Sequence, residues 1–452
     1  MLSSIGRPAR WLRSHLGSEL TTQLTRSGSA AVLIKLAAAG LQFLMFLILA
    51  RSMSVADFGR LGFGFSLGTL LAEVGSFGQR VLVLRYAPIY SLEEGQERLL
   101  GLIRAGYLIV FSGCGVLGLG VIAAPFVLPK VEISGYLVAT GLFTLILGLA
   151  EYQASVLRTL GGIALSLVPR DLLWRVGVIL CCGPIAIGLA PQISAFVGIG
   201  LLAGILMASV VGQASLHPIT RSRVLFRCPV IYEWKIWRHA ALGMWGTSVV
   251  NVAAPNLGVV IVGSLLPPAE TGEFFAALRI AALLNIFLMA SNLVSAPIIS
   301  RLHHEGDLVR AQGMSSSVAL GASVLALAVL AVFFIGGDHI LRVFDPEFGG
   351  AKLPLIVMGV GFLINTAAGQ NSFIMQMTGH ERQFFLICLG CNVGGLVLMF
   401  ALIPIWGVLG ASVSVMICYV SWNVICHFWL LMRLGIDVSV FGLRHMRPHF
   451  GR

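Results

Sequence analysis

Apolar residues run along this chain in blocks of about 20, separated by short polar turns, and within the blocks they do not alternate residue by residue. About 20 apolar residues coiled as helix reach about 30 Å, the depth of a bilayer's hydrocarbon core. Each block therefore predicts a membrane-spanning helix. Twelve fall at roughly 30–50, 61–84, 104–128, 135–157, 167–189, 192–214, 240–263, 272–297, 315–336, 352–377, 383–404 and 407–432. Short alternating strands, the signature of a transmembrane barrel, are missing from the pattern. The expected fold is an all-α integral membrane protein of about 12 transmembrane helices.

Two of the polar breaks are alike. "SMSVADFGRLGFG" covers Ser52 to Gly64, and "SLLPPAETGEFFA" covers Ser264 to Ala276. At an offset of 213, Ala56, Asp57 and Gly59 align with Ala269, Glu270 and Gly272. Ser54 and Asp57 have capping-box spacing, and Pro267, Pro268 and Glu270 suit a helix's first turn. Each acid then sits at the positive end of a helix dipole. Asp57, Gly59, Glu270 and Gly272, with Pro255, are read as turn or hinge positions. A repeat half a chain apart, with an even number of spans per copy, predicts two parallel six-helix halves around a central cleft. The expected organisation is a basic interface segment (1–29), a first half (30–214), a basic linker (215–239) anchored by Tyr232, Trp234 and Trp237, a second half (240–432) and a tail (433–452).

Composition sharpens the class. The chain is 57% hydrophobic and 11% charged, against about 25% charged in soluble proteins. A net charge of +11 invites a nucleic-acid reading, but the distribution argues against it. Of 30 Lys and Arg, 21 fall in turns on one side and five, Arg51, Arg60, Lys130, Arg342 and Lys352, on the other. The positive-inside rule then places both termini in the cytoplasm. The first apolar run is too long for a signal-peptide core, so it is read as a span.

Four cations lie within spans: Lys35, Arg80, Arg175 and Arg279. Charge at membrane depth marks functional candidates. Ser66, Thr69, Glu73, Ser76 and Arg80 are spaced 3, 4, 3, 4, which puts them on one helical face. That face either lines a cavity or holds an internal Glu73–Arg80 pair. Asn365, Gly369, Ser372 and Gln376 share a face of the tenth span, with Gln370 and Asn371 beside it. Asn251 and Asn256 flank Pro255, where a kink is expected. Arg279, Asn285 and Asn292 follow in the eighth span. Glu151, Arg158, Asp171 and Arg175 read as inter-helix salt bridges or, alternatively, as an inner gate. The candidate cavity set is Lys35, Ser66, Thr69, Glu73, Arg80, Asn251, Asn256, Arg279, Asn365, Ser372 and Gln376.

Eight cysteines show no disulfide framework, and Cys388-x-x-Cys391 is read as packing. His303-His304 is read as loop surface rather than a metal site. No Walker-type loop and no Ser/His/Asp constellation are found, so neither catalysis nor a resident metal is expected.

"ARSMSVADFGRLGFGFSLGTLLAEVGSFG" resembles the first hairpin of polysaccharide-unit flippases. "LRTLGGIALSLVPRDLLWRVGVIL" and "MQMTGHERQFFLICLGCNVGGLVLMFALIPIWGVLGASVSVMICYV" resemble two further regions of the same proteins. The chain thus resembles the polysaccharide/O-antigen-unit flippase family, a branch of the multidrug/oligosaccharidyl-lipid/polysaccharide exporter superfamily. The resemblance implies transfer of a polyprenyl-diphosphate-linked oligosaccharide from the inner to the outer leaflet of the bacterial cytoplasmic (inner) membrane, by alternating access. It also implies partners among polysaccharide polymerases or glycosyltransferases. An unsatisfied hydroxyl costs about 4–8 kcal/mol in hydrocarbon, so a cleft lined by Ser, Thr, Asn and Gln suits a glycan. Arg279, Arg80 or Lys35 suits the diphosphate. Glu73 departs from a cationic cavity and keeps two questions open: coupling to a proton or sodium gradient, and a cation-coupled multidrug exporter. A non-transporting scaffold of a glycan synthesis complex is the third reading.

Overall fold

The computed structural model describes residues 33–92, 95–127, 135–216, 229–289, 295 and 308–442. Among them there are helices and turns and no strand. The helices are α1 (Leu33–Arg51), α2 (Val55–Gly75), α3 (Gln79–Leu92), α4 (Gln96–Val127), α5 (Gly135–Leu160), α6 (Ile163–Leu167), α7 (Trp174–Ala186) and α8 (Ala195–Leu216). They continue with α9 (Trp234–Leu265), α10 (Pro268–Ala281), α11 (Leu308–Phe344), α12 (Lys352–Ala367), α13 (Asn371–Met377) and α14 (Glu381–Leu434). The basic segment 1–29, most of the linker, Lys130, Cys228, Asn292, His303-His304 and residues 443–452 lie outside the described residues.

Nine helices among the described residues are long and apolar enough to cross a bilayer, and α2 with α3, bent by 46°, makes ten. The difference from twelve arises at two places. Residues 163–186 are broken by a π turn over Val168–Leu173, which leaves no α piece longer than 13 residues. Helix α14, 54 residues, would measure about 81 Å if straight, far beyond one bilayer. It turns instead at Gly407, where φ is 55° and ψ −131°. Pro404, three residues earlier, removes a backbone donor at the same bend.

Local chemistry explains the element ends. Ser54 caps α2 by accepting from the Asp57 amide (3.2 Å). Asp57 also accepts from the Ala195 amide at the start of α8 (3.2 Å), so one carboxylate serves two helix N-termini. Pro268 opens α10 and Glu270 lies in its first turn. The expected span 61–84 is two helices, because Ser76–Gly78 form a turn with Phe77 and Gly78 at positive φ. The bend leaves the Val74 carbonyl open to accept from Trp245 Nε1 (3.0 Å). The expected span 352–377 is likewise broken at Ala368–Gln370, with Gly369 at φ 75°. Helix α9 runs through Pro255 as one element.

The two similar turns meet. A Cβ on Gly59 would land on the Pro268 carbonyl oxygen, and one on Gly272 would sit 2.9 Å from the Val55 carbonyl oxygen. Around this crossing, Phe275 packs edge-on against Phe46 (5.0 Å) and Phe58 (5.6 Å), and Phe58 lies 5.9 Å from Phe348. This end is a dry aromatic seal joining the first and second halves of the chain. At the opposite end the joint is narrower. Trp237 Nε1 donates to Tyr90 Oη (3.0 Å), Tyr90 donates to Glu233, and Arg98 pairs with Glu233 (3.4 Å).

Candidate functional site

Two polar lattices and two cavities hold most of the candidate residues. The first lattice is ionic and lies in the first half. Arg80 bridges Glu73 (2.9 Å) and Glu151 (3.1 Å). Glu151 in turn pairs with Arg170, and Arg170 with Asp171 (2.5 Å). Asp171 accepts from Lys35 (2.6 Å) and lies 3.8 Å from Arg175, which also donates to Gln42 (3.3 Å). Glu73 is 4% exposed and Asp171 is equally enclosed. Four cations thus meet three acids across α1, α2, α3, α5, the π turn and α7. That turn matters because it carries adjacent Arg170 and Asp171 into the same lattice; π insertions recur at functional sites.

This arrangement revises the serine–threonine stripe. The bend at Ser76–Gly78 puts Arg80 on α3, off the straight face of α2, yet its guanidinium still reaches back to Glu73. Ser66 is fully buried with its hydroxyl unpartnered among the described residues, and Thr69 donates to the Phe65 carbonyl (2.7 Å). Lys35 belongs to the ion lattice. Arg158, grouped with these charges by sequence, is exposed and outside the lattice, whereas Arg170, counted as a turn residue, is inside it.

The second lattice is made of amides. Asn365 donates to Asn285 (2.9 Å) and accepts from Asn423 (2.9 Å). Gln370 donates to Ser295 and accepts from Ser315 (3.4 Å). The break at Gly369 separates residues expected on one face: Asn365 enters this lattice, while Ser372 and Gln376 turn to a cavity. Gln370 and Asn371, placed beside that face by helical angle, are fully buried. Asn256 lines neither of the two cavities described next and donates to the Val252 carbonyl (2.9 Å).

The larger cavity, about 310 Å³, lies among α9, α13 and both arms of α14. Asn251, Pro255, Ser372 and Gln376 line it, together with Asn392, Tyr419 and Trp422, which sequence reading passed over. The smaller, about 150 Å³, lies between α1 and α10 and contains Arg279. The Arg279 guanidinium sits over Phe275 (4.7 Å), Phe46 (5.3 Å) and Phe65 (5.5 Å). Its Nε and Nη2 are buried with no hydrogen-bond partner among the described residues. Stacking on aromatic faces stabilises the charge without consuming its in-plane donors. A planar donor fork held that way suits an oxyanion.

The comparisons with known proteins agree with this architecture. A family model described as polysaccharide biosynthesis protein matches residues 24–303. The succinoglycan biosynthesis transport protein ExoT of Rhizobium meliloti (strain 1021) is 24% identical over 347 residues, covering 75% of this chain and 67% of that protein. Among solved structures, an inward-facing multidrug resistance MATE family transporter of the MOP superfamily superposes with TM-score 0.69 at 14% identity, covering 88% of this chain and 94% of the other. An outward-facing MATE transporter of the same superfamily gives 0.62 at 14% identity, covering 90% and 95%. At such identity the likeness establishes the fold alone, the helical architecture of those proteins.

Proposed function

The chain belongs to the polysaccharide biosynthesis protein family, and from that premise we propose that it is a flippase for polyprenyl-diphosphate-linked oligosaccharide. It moves the glycan unit from the inner to the outer leaflet of the bacterial cytoplasmic membrane for surface polysaccharide assembly. Both termini face the cytoplasm, in keeping with 21 basic residues on that side against five on the other. The sealed end with Gly59 and Gly272 then faces outward.

The observation that supports this reading most is Arg279, a buried guanidinium with two uncommitted donors. It takes the diphosphate, and the polyprenyl tail stays in lipid beside α1 and α10. A cationic drug is a poor match for this site, because Glu73, the acid expected to receive it, already pairs with Arg80. Alternating access follows from opening the crossing of α2 and α10.

The decisive test is lipid extraction from cells depleted of the protein. Diphosphate-linked oligosaccharide should accumulate on the cytoplasmic leaflet while surface polysaccharide falls. An unchanged lipid pool, with new sensitivity to cationic dyes, overturns the reading in favour of drug export. In proteoliposomes Arg279→Ala should cut flux about tenfold or more, the loss expected of a charge-assisted contact. Wild-type flux in that variant removes Arg279 from the site.

A further inference from the structure

We infer that the larger cavity of the second half is a glycan subsite, with Trp422 and Tyr419 as its stacking platform. The inference rests on the flippase reading and assigns the sugar end of that substrate to residues apart from Arg279.

Among the cavity's lining residues there is no acidic and no basic side chain. A cationic organic ligand would find no carboxylate there, and a diphosphate would find no cation. The polar groups are neutral: Asn251, Ser372, Gln376, Asn392, Ser414 and the tips of Tyr419 and Trp422. Several are uncommitted. Neither the Asn251 side chain nor the Ser372 hydroxyl makes a hydrogen bond among the described residues, and Gln376 uses its amide nitrogen on the Ser372 carbonyl (3.0 Å), leaving its side-chain oxygen free. Amides that both donate and accept match sugar hydroxyls, which do the same.

The aromatic floor completes the match. A pyranose has an apolar C–H face, and a rigid ring takes that face at little entropic cost. Tyr419 packs edge-on against Phe362 (4.7 Å), and Trp422 edge-on against Phe384 (6.1 Å). The two platform rings lie 6.4 Å apart at 57°, so neighbours brace both. At about 310 Å³ the cavity is at the small end of ligand sites, which run from roughly 300 to 1,000 Å³. It fits a short stretch of sugar rather than a whole repeat unit. Water alone would leave the aromatic floor without a role.

The test compares two ligands on the purified full-length protein: polyprenyl diphosphate carrying its oligosaccharide, and the same polyprenyl diphosphate without sugar. Trp422→Ala should weaken binding of the first about tenfold and leave the second within about twofold. Trp422→Phe, which keeps a ring, should restore most of the loss. Asn251→Ala and Gln376→Ala alter exposed side chains and read the same site where the tryptophan variant does not fold. They should shift binding of the glycan-bearing lipid alone, by a few-fold. Equal weakening of both lipids, or no change in either, overturns the subsite while leaving the flippase reading in place. Wild-type protein that binds neither lipid overturns the flippase reading and this one with it.

Discussion

The two halves solve the same joining problem with different chemistry. In the second half Asn285, on the helical piece after the turn that ends α10, is tied directly to Asn365 on α12 and through it to Asn423 on the last arm of α14, amide to amide. In the first half the corresponding positions, 210 to 214 residues earlier, are Glu73, Glu151 with Gln153, and Gln213. The Gln153 amide donates to the Gln213 side-chain oxygen (3.3 Å), much as Asn423 donates to Asn365. Glu73 and Glu151 cannot bond each other, so Arg80 stands between them. One joint of the first half is thus amide to amide and the other ionic. Charged side chains reach farther than asparagine, so the ionic version joins helices across a wider gap, including the break between α2 and α3. It also ties in Lys35 and Arg175 from helices the amide lattice has no counterpart for.

Asp171→Ala tests that contrast with the largest expected effect. The buried Asp171 meets Lys35, Arg170 and Arg175, and removing it leaves the half-buried Lys35 and Arg175 without their acid and Arg170 with Glu151 alone. Breaking a buried pair by deleting one partner costs about 3–5 kcal/mol. Thermal unfolding in detergent should show a clear fall, and a stability equal to wild type would end the claim that the lattice is structural.

Asn365→Ala should cost less. It removes two inter-helix bonds, and such bonds in membrane proteins average about 0.6 kcal/mol with a maximum near 1.7. A loss of about 1–3 kcal/mol is expected for the pair of bonds. Gln153→Ala, which removes the amide joint of the first half, should fall in the same range. If it matched Asp171→Ala instead, the distinction between ionic and amide joints would collapse.

How far these lattices could be read beforehand depended on what kind of feature made them. Span positions and the repeated turns were legible because they rest on run length and local capping, which neighbouring residues decide. The Glu73–Arg80 pair was visible from its spacing, although the route between them was not, since Phe77 at positive φ leaves no mark in a hydrophobicity pattern. Asn365 and Ser372 were placed on one face for the same reason, and Gly369 parted them. Trp422 and Tyr419 were invisible as site residues because aromatics on an apolar helix face look alike whether they meet lipid, core or cavity.

Arg158 and Arg170 bring the smallest expected effect and show the limit of charge counting. Arg158 lies between the fourth and fifth apolar blocks and Arg170 in the first turn of the fifth, and the positive-inside count weighs them equally. Arg158 ends α5 with its side chain exposed. Arg170 sits on the π turn between Glu151 and Asp171. Arg158→Ala should therefore change stability by no more than about 0.5 kcal/mol, as surface substitutions do. Arg170→Ala strips a buried charge from two acids and should behave like Asp171→Ala. Unfolding midpoints of the two variants, measured side by side, test whether depth and partners govern these arginines. Equal losses would mean that the count, and not the lattice, held the relevant information.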